Sequence, residues 1–263
     1  MSELLTDPLA LLIVAVGAFM AGGMNALAGG GTFFSFPALL AAGIPPVMAN
    51  ASNTVALWPA SLSSAWVYRK ELEKHKSWVI ALTIIAVIGG IAGGLLLLAV
   101  SNAAFMKMVP WLLLLATALF AFSKQISGLV VRFKSRMGIA HTDDNPRSAG
   151  GLAFQFLVTV YGGFFGAGQG ILTLAALSIQ GVDNIQELNA LKNWISAVTY
   201  TVSAFTFIIA GAINWPYTLL MVVTATLGGF TGAHIAKYLP AVWLKRLVIV
   251  VGSLLTVIYF FKT

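Results

Sequence analysis

The chain has 263 residues, of which 59% are hydrophobic and 9% are charged, and its formal net charge is +7. A soluble domain carries about 25% charged residues, so this chain has too little charge to cover a water-facing surface. Its apolar runs are continuous and about 20 residues long, which indicates membrane-spanning helices and excludes the short alternating strands of a transmembrane barrel.

The residue types argue against metal, redox and nucleic-acid chemistry. Cysteine is absent, which excludes disulfides and thiolate metal sites, and the three histidines show no metal-ligand spacing. The basic residues lie in short connections between apolar runs, where they indicate a cytoplasmic face rather than a nucleic-acid surface. The sequence therefore predicts no cofactor, no metal and no nucleic-acid partner. Because the first residues lack a basic region, the first apolar run is predicted to be a span and not a signal peptide.

The first half begins with a predicted span over 8–28, which ends at three successive glycines, residues 29–31. Glycine has no side chain to pack and weakens helices, so the triple predicts a break inside apolar sequence. The next apolar stretch, 32–42, would extend about 16 Å as a helix, against about 30 Å of hydrocarbon. It is predicted to be a short broken or re-entrant segment, which the two prolines within 43–46 bring to an end.

Three full spans complete the first half. They are predicted over 50–68, 78–100 and 108–122, and a charged loop over 69–76 separates the first two. The span over 78–100 carries two glycine pairs, which would let a neighbouring helix approach closely. The polar stretch 128–148 is predicted to be a cytoplasmic linker between the two halves.

The second half repeats this pattern at an offset of 139 residues. Gly168, Gln169 and Gly170 correspond to the first glycine break, and a short apolar stretch, 171–180, follows them. The other apolar stretches of this half are 152–165, 189–210, 217–238 and 240–261. We therefore predict an internal duplication, with membrane repeats over 1–127 and 149–263.

The distribution of lysine and arginine indicates how the repeats are oriented. If each short segment carries the chain across, each repeat has five membrane segments, and an odd number inverts the second repeat. The loop basic residues then divide 12 to 2 between the two faces, whereas parallel repeats of four spans divide them 10 to 4. The sequence thus predicts an all-α polytopic membrane protein of two inverted repeats, each with about four full transmembrane helices and one short segment.

Lys192 is the strongest candidate for a substrate-binding residue. It lies at the start of an apolar helix, where an uncompensated cation is costly and usually has a partner or an anionic ligand. The alternative is a lysine that extends its amine to the interface near Asp183 and Glu187.

Four asparagines are further candidates, because their amides would donate hydrogen bonds to an anion without holding it by charge. Asn50 and Asn53 are three residues apart, and Asn189 and Asn193 are four apart, so each pair shares a helix face. The alternative for Asn50 and Asn189 is helix capping. Both roles are compatible, since an anion at a helix start binds the same free N–H groups.

The remaining candidates lie at the glycine breaks, where backbone N–H groups would face an anion at close range. An alternative role for these glycines is close helix packing. The predicted residues are Gly29, Gly30, Gly31, Gly168 and Gly170, together with the adjacent side chains of Thr32 and Gln169.

These motifs resemble the TauE/SafE family of sulfite exporter-type permeases over nearly the whole chain. The resemblance is carried by the sequences AGGG at 28–31 with Pro37, NASNT at 50–54, GAGQG at 166–170 and NALKN at 189–193. It implies export or uptake of sulfite, organosulfonates or related small anions across the bacterial cytoplasmic (inner) membrane.

We therefore predict a secondary transporter, and specifically an exporter, that moves small sulfur oxyanions through the lipid bilayer by alternating access. The alternatives are an anion channel and a transporter of another small anion such as a carboxylate. Proton coupling is consistent with export, although the sequence shows no clear proton relay, and nothing in the sequence predicts an oligomeric state. Enzymatic activity is not predicted, because the sequence shows no nucleophile–base pair or metal cluster.

Overall fold

The computed structural model is all-helical in the residues that it describes, as the sequence predicts. The described residues are 7–28, 30–73, 76–122, 125, 128–129, 132, 149–180, 182, 184–235 and 241–262. They form eleven helices: α1 (Pro8–Ala28), α2 (Thr32–Ala41), α3 (Pro46–Val67), α4 (Arg69–Leu72), α5 (Lys76–Ala99), α6 (Asn102–Ala121), α7 (Ala149–Phe164), α8 (Gln169–Ile179), α9 (Ile185–Ile209), α10 (Trp215–Ile235) and α11 (Ala241–Lys262). The predicted linker, 128–148, lies almost entirely outside the described residues.

The predicted starts of two central helices are wrong by about one turn. α3 begins at Pro46, because proline fits the first turn, where no N–H is needed. α9 begins at Ile185, and its N-cap is Asn184, whose side chain accepts two backbone N–H groups. Asn50 and Asn189 therefore lie inside their helices, and the capping alternative for them is wrong.

Two other predicted boundaries also change. α6 begins at Asn102 instead of residue 108, because Ser101 caps it by accepting a hydrogen bond from the Ala104 N–H at 3.2 Å. Part of the predicted charged loop, 69–72, forms the short helix α4.

α2 folds back along α1 after the first glycine break. A Cβ on Gly31 would lie 2.6 Å from the Ala21 carbonyl oxygen, which is closer than side chains tolerate. Further along, a Cβ on Gly17 would lie 2.6 Å from the Ala38 side chain. Since residue numbers rise along α2 as they fall along α1, the two helices run antiparallel.

The second break occupies residues 165–168. Gly166 and Gly168 have φ angles of +81° and +78°, a left-handed conformation that residues with side chains rarely adopt. Gln169 and Gly170, which were predicted within the break, instead form the first turn of α8.

The helices of the two halves correspond in position and in packing. The first residues of three helix pairs are each 139 positions apart: Pro46 and Ile185, Lys76 and Trp215, and Asn102 and Ala241. The contacts correspond as well. α1 packs against α10, and its counterpart α7 packs against α5. Likewise α3 packs against α10, and its counterpart α9 packs against α5. The offset seen in the glycine motifs is therefore also present in the helices.

Corresponding helices that meet each other run antiparallel. Ser52 Oγ of α3 accepts a hydrogen bond at 2.9 Å from the N–H of Asn214, which follows the end of α9, and Trp58 Nε1 donates to Thr201 Oγ1 of α9 at 2.8 Å. Residue numbers thus rise along α3 as they fall along α9. The contacts of α6 with α11 follow the same order, at Trp111–Phe260 and Thr117–Gly252.

The glycine pairs of α5 allow two neighbouring helices to approach. A Cβ on Gly89 or Gly93 would overlap atoms of α7, and a Cβ on Gly90 would lie 2.5 Å from the Val202 side chain of α9. The predicted close approach is confirmed.

The polarity of the molecule is that of a membrane protein. Ile80, Ile84 and Ile88 lie on one face of α5 and are 54–61% exposed, whereas the polar side chains of Asn50 and Gln155 are completely buried. Among the described residues, three helices are long and apolar enough to cross a membrane, with the segments Pro8–Asn25, Trp78–Ala99 and Asn102–Leu119. α3 and α9 are of comparable length, with 22 and 25 residues, and they carry the predicted asparagines and Lys192.

Candidate functional site

A small cavity lies between the second break and the antiparallel helices α3 and α9. It contains about 90 Å³ of space that water molecules could occupy. Since one buried water needs about 10–15 Å³ on this measure, the cavity takes several waters or one small solute. Its polar side chains are Asn25 of α1, Ser61 and Ser64 of α3, Gln169 of α8, and Lys192, Asn193, Ser196 and Tyr200 of α9. The structure thus brings together four predicted residues: Gln169, Gly170, Lys192 and Asn193.

Among the described residues that line this cavity, Lys192 is the one with a charged side chain. Its aliphatic stem passes α8 at Gly170, where a built Cβ would lie 3.5 Å from Lys192 Cδ. No ion pair or hydrogen bond joins Lys192 to another described side chain, and Asp183, one of its predicted alternative partners, lies outside the described residues. A half-buried ammonium without a carboxylate partner attracts an anionic ligand.

The first turn of α8 adds hydrogen-bond donors beside this cation. The Gln169 side chain is 2% exposed, and neither its Oε1 nor its Nε2 has a hydrogen-bond partner. The Gln169 N–H donates to the Gly166 carbonyl and the Ile171 N–H to that of Gly168. This leaves the Gly170 N–H without a partner in the described part of the chain. Those residues contain no group of three or more His, Cys, Asp or Glu placed to hold a metal.

Five lining residues with polar side chains were missing from the predicted set. They are Asn25, Ser61, Ser64, Ser196 and Tyr200. Asn25 could have been found, because it is a lone amide in an apolar span. Ser196 and Tyr200 could have been found as well, because they follow Lys192 by four and eight residues on one helix face. Ser61 and Ser64 share a helix face with Asn50 and Thr54 in the sequence, but only the packing of α3 against α9 shows that they meet the cavity.

A closed cluster in the first half occupies the position that corresponds to this site. Asn53 corresponds to Lys192 at the offset of 139 and is buried. Its Oδ1 accepts a hydrogen bond from Ser35 Oγ, and its Nδ2 donates to Thr32 Oγ1 at 3.3 Å. Asn53 and Thr32, both predicted to bind substrate, therefore bind each other. Tyr200, which lines the cavity, lies close to Thr32 of this cluster.

Two predicted asparagines lie away from the cavity lining. Asn50 Nδ2 donates to the Phe164 carbonyl at 2.8 Å, which joins α3 to the end of α7, while its buried Oδ1 has no partner. Asn189 is half-buried, one turn before Asn193 on α9.

The other predicted glycines occupy the breaks themselves. Gly30 and Gly31 are buried at the first break, Gly168 faces Ala116 of α6, and Gly29 lies outside the described residues.

An aromatic cluster fills the space between α2, α6 and the second break. Phe36 packs edge-on against Phe165 with ring centroids 5.7 Å apart, and Phe105 packs in the same way against Phe164 at 5.6 Å. Asn50, which contacts Phe164, precedes the cavity residue Ser61 by about 16 Å along α3. The aromatic cluster and the cavity therefore adjoin different positions along the axis of α3, which we call two levels of the helix.

A family model and several curated proteins match the chain. The model described as sulfite exporter TauE/SafE matches residues 14–259. A probable membrane transporter protein of Haemophilus influenzae is 27% identical over 245 residues, which are 90% of this chain and 89% of the relative. The probable membrane transporter proteins ORF9 of Sinorhizobium sp and YfcA of Escherichia coli are 28% and 25% identical, over 98% and 97% of this chain and 94% and 91% of the relatives. No solved structure matches the chain.

Proposed function

The chain belongs to the sulfite exporter TauE/SafE family, and from this premise we propose that it transports small sulfur oxyanions, such as sulfite and organosulfonates, across the bacterial inner membrane. Its curated relatives are described as probable membrane transporter proteins, which supports a membrane transporter of a small molecule rather than an enzyme. The observation that carries the choice of an anion is Lys192, which has no partner among the described residues, in a small polar cavity.

The groups around Lys192 suit an anion whose charge is spread over several oxygens. The Gln169 and Asn193 amides and the Gly170 N–H are donors beside the ammonium, and no carboxylate lines the cavity in its described residues. A lysine ammonium acts as a compact point charge and, unlike arginine, does not require a planar partner. Small carboxylates have related chemistry and are the competing substrate class.

We propose further that the two halves are inverted repeats. The support is the pairing of corresponding helices, because α3 and α9 run antiparallel, as do α6 and α11. Two equivalent membrane-crossing helices with opposite directions require a pseudo-twofold axis in the membrane plane. The 12-to-2 division of basic residues supports the same arrangement.

Alternating access is the mechanism that fits one open and one closed side. The cavity at Lys192 has room for a small anion, whereas aromatic rings and the hydrogen-bonded Asn53–Thr32 pair pack together at the other level. In the proposed cycle, movement of one repeat against the other opens the aromatic side and closes the Lys192 side around a site near the midplane. A channel would instead require both sides to be open at once.

A flux assay in liposomes tests this function. We expect saturable uptake of sulfite or an organosulfonate by the purified protein, accelerated by the same anion on the opposite side. Sulfate, thiosulfate and acetate serve as comparison substrates. Flux without saturation or counterflow would contradict alternating access, and a preference for acetate would contradict sulfur oxyanions.

The proposed topology predicts which side of the membrane each basic residue faces. Because the native chain has no cysteine, single-cysteine variants need no altered background. Lys70→Cys and Arg246→Cys should react with an impermeant maleimide only after cells are permeabilised, whereas Lys107→Cys should react in intact cells. Reaction of Arg246→Cys in intact cells would contradict the inverted arrangement and favour parallel repeats.

A further inference from the structure

α8 runs antiparallel along α7, and polar side chains lie between the two helices. At one end, a Cβ on Gly162 would overlap the Gln169 side chain. At the other end, Gln180 Nε2 donates to the Gly151 carbonyl at 3.3 Å. Gln155 shares its helix face with both glycines of α7, and Thr173 follows Gln169 by one turn on α8. Helical spacing therefore assigns both side chains to the faces that carry the two end contacts.

We call Gln155, Gln169, Thr173 and Gln180 the α7–α8 seam. Each side chain is at most 6% exposed. In Gln155 and in Gln169, neither Oε1 nor Nε2 has a hydrogen-bond partner. Thr173 Oγ1 and Gln180 Oε1 also have none. Leaving buried polar groups unsatisfied costs free energy, so this conformation of the seam is less stable than an apolar contact of the same shape.

The hairpin of the first half shows that such packing does not require polar side chains. There Ala38 of α2 packs on Gly17 of α1. The polar residues of α2, Thr32 and Ser35, bind Asn53 of α3. Hydrogen bonding within the fold thus explains the polar residues of α2 and leaves those of the seam unexplained.

We propose that the seam forms the wall of the path by which the anion and its water reach the Lys192 cavity, and that this wall is exposed when α8 moves away from α7. Gln169 belongs to both the seam and the cavity, so the path leads from the bound anion to Gln180. Amides and a hydroxyl donate hydrogen bonds to an anion without repelling it. Water satisfies these atoms once the seam opens, which lowers the cost of opening relative to an apolar seam. The inference rests on the proposed anion transport.

Thiol labelling tests the opening of the seam without measuring transport. Thr173→Cys is the test variant, and Thr117→Cys is its matched control, because the Thr117 hydroxyl is also buried without a partner but lies on α6. We expect an anionic methanethiosulfonate to label Thr173→Cys at least about tenfold faster than Thr117→Cys, as a minor open state would allow. The anionic reagent should also react faster than its cationic analogue. Equal rates at the two cysteines, or a faster cationic reagent, would overturn the proposal.

A second pair of variants tests the effect on transport. Thr173→Val removes one unsatisfied hydroxyl from the closed seam and should lower the maximal sulfite flux several-fold, whereas Thr117→Val should leave it unchanged. Normal flux through Thr173→Val would also overturn the proposal. If the wild-type protein moves no sulfite but Thr173→Cys is labelled as expected, the assigned substrate is wrong and the seam is supported.

Discussion

Lys192→Gln is expected to weaken sulfite binding by at least about 30-fold and to reduce flux at low sulfite concentration by a similar factor. The substitution removes the cation of the cavity and keeps a polar side chain of similar length. Losing one partner of a desolvated charge pair costs about 2–5 kcal/mol, and about 1.4 kcal/mol is tenfold in affinity. Isothermal titration with sulfite and the concentration dependence of liposome flux measure the two effects.

Two other substitutions at Lys192 separate charge from shape. Lys192→Arg should restore part of the affinity, because it keeps the charge but places a broader planar group where α8 touches the lysine stem at Gly170. Lys192→Glu should be inactive, because its charge repels the anion. Lys107→Gln, the same change at an exposed lysine of α6, is the matched control and should transport normally. If affinity and flux are unchanged in Lys192→Gln, the anion does not bind to Lys192 but to the backbone N–H groups of the second break.

The helices could be predicted from the sequence because a membrane leaves few choices. Backbone groups in hydrocarbon must be satisfied within the helix, so continuous apolar runs mark helices, and α1 has the predicted bounds, Pro8–Ala28. The start of α9 was missed because its first turn contains Gln186 and Glu187, and the start of α3 because Pro45 and Pro46 were interpreted as a break. The local signals there are Pro46 and the capping Asn184.

The site could be predicted only where its residues are close in sequence. Lys192 and Asn193 are adjacent on α9, and Gln169 and Gly170 begin α8, so two short motifs supplied a third of the residues that line the cavity. Asn53 was also predicted to bind the substrate, and in the structure its side chain makes hydrogen bonds to Ser35 and Thr32 of α2. A donor's residue type does not reveal whether it meets a ligand or another side chain, because that depends on which helices pack together.

The pseudo-symmetry of the two halves makes the difference between Asn53 and Lys192 informative. Asn53 and Lys192 occupy corresponding positions, but the neutral amide is satisfied within the protein and the ammonium has no described partner. Satisfying a neutral amide requires only a neighbouring hydroxyl or carbonyl, whereas a half-buried ammonium requires an opposite charge. A fold duplicated in its helices can therefore hold one charge-selective site instead of two.

Gly170→Leu is expected to abolish transport while the protein still folds. Gly170 lies in the first turn of α8, and a Cβ there would meet only the Lys192 stem, at 3.5 Å, an ordinary contact distance. Leucine also favours a helix more than glycine does, by about 0.5–1 kcal/mol. Beyond Cβ, however, its side chain would extend into a cavity of about 90 Å³ and occupy the space required by the anion. Sulfite flux should fall to the background of empty liposomes, while thermal unfolding stays within a few degrees of the wild-type protein.

Two other glycines separate blocking of the cavity from damage to the fold. Gly150→Leu makes the same change in α7, where a Cβ would meet nothing within 4 Å, and it should transport normally. Gly22→Leu should prevent folding, because a Cβ at Gly22 would overlap the Ala225 carbonyl of α10. Transport by Gly170→Leu at the wild-type rate would mean that the anion does not bind between the start of α8 and Lys192. Loss of folded protein in Gly170→Leu would mean that α8 and α9 are packed too closely at this point to leave room for an anion.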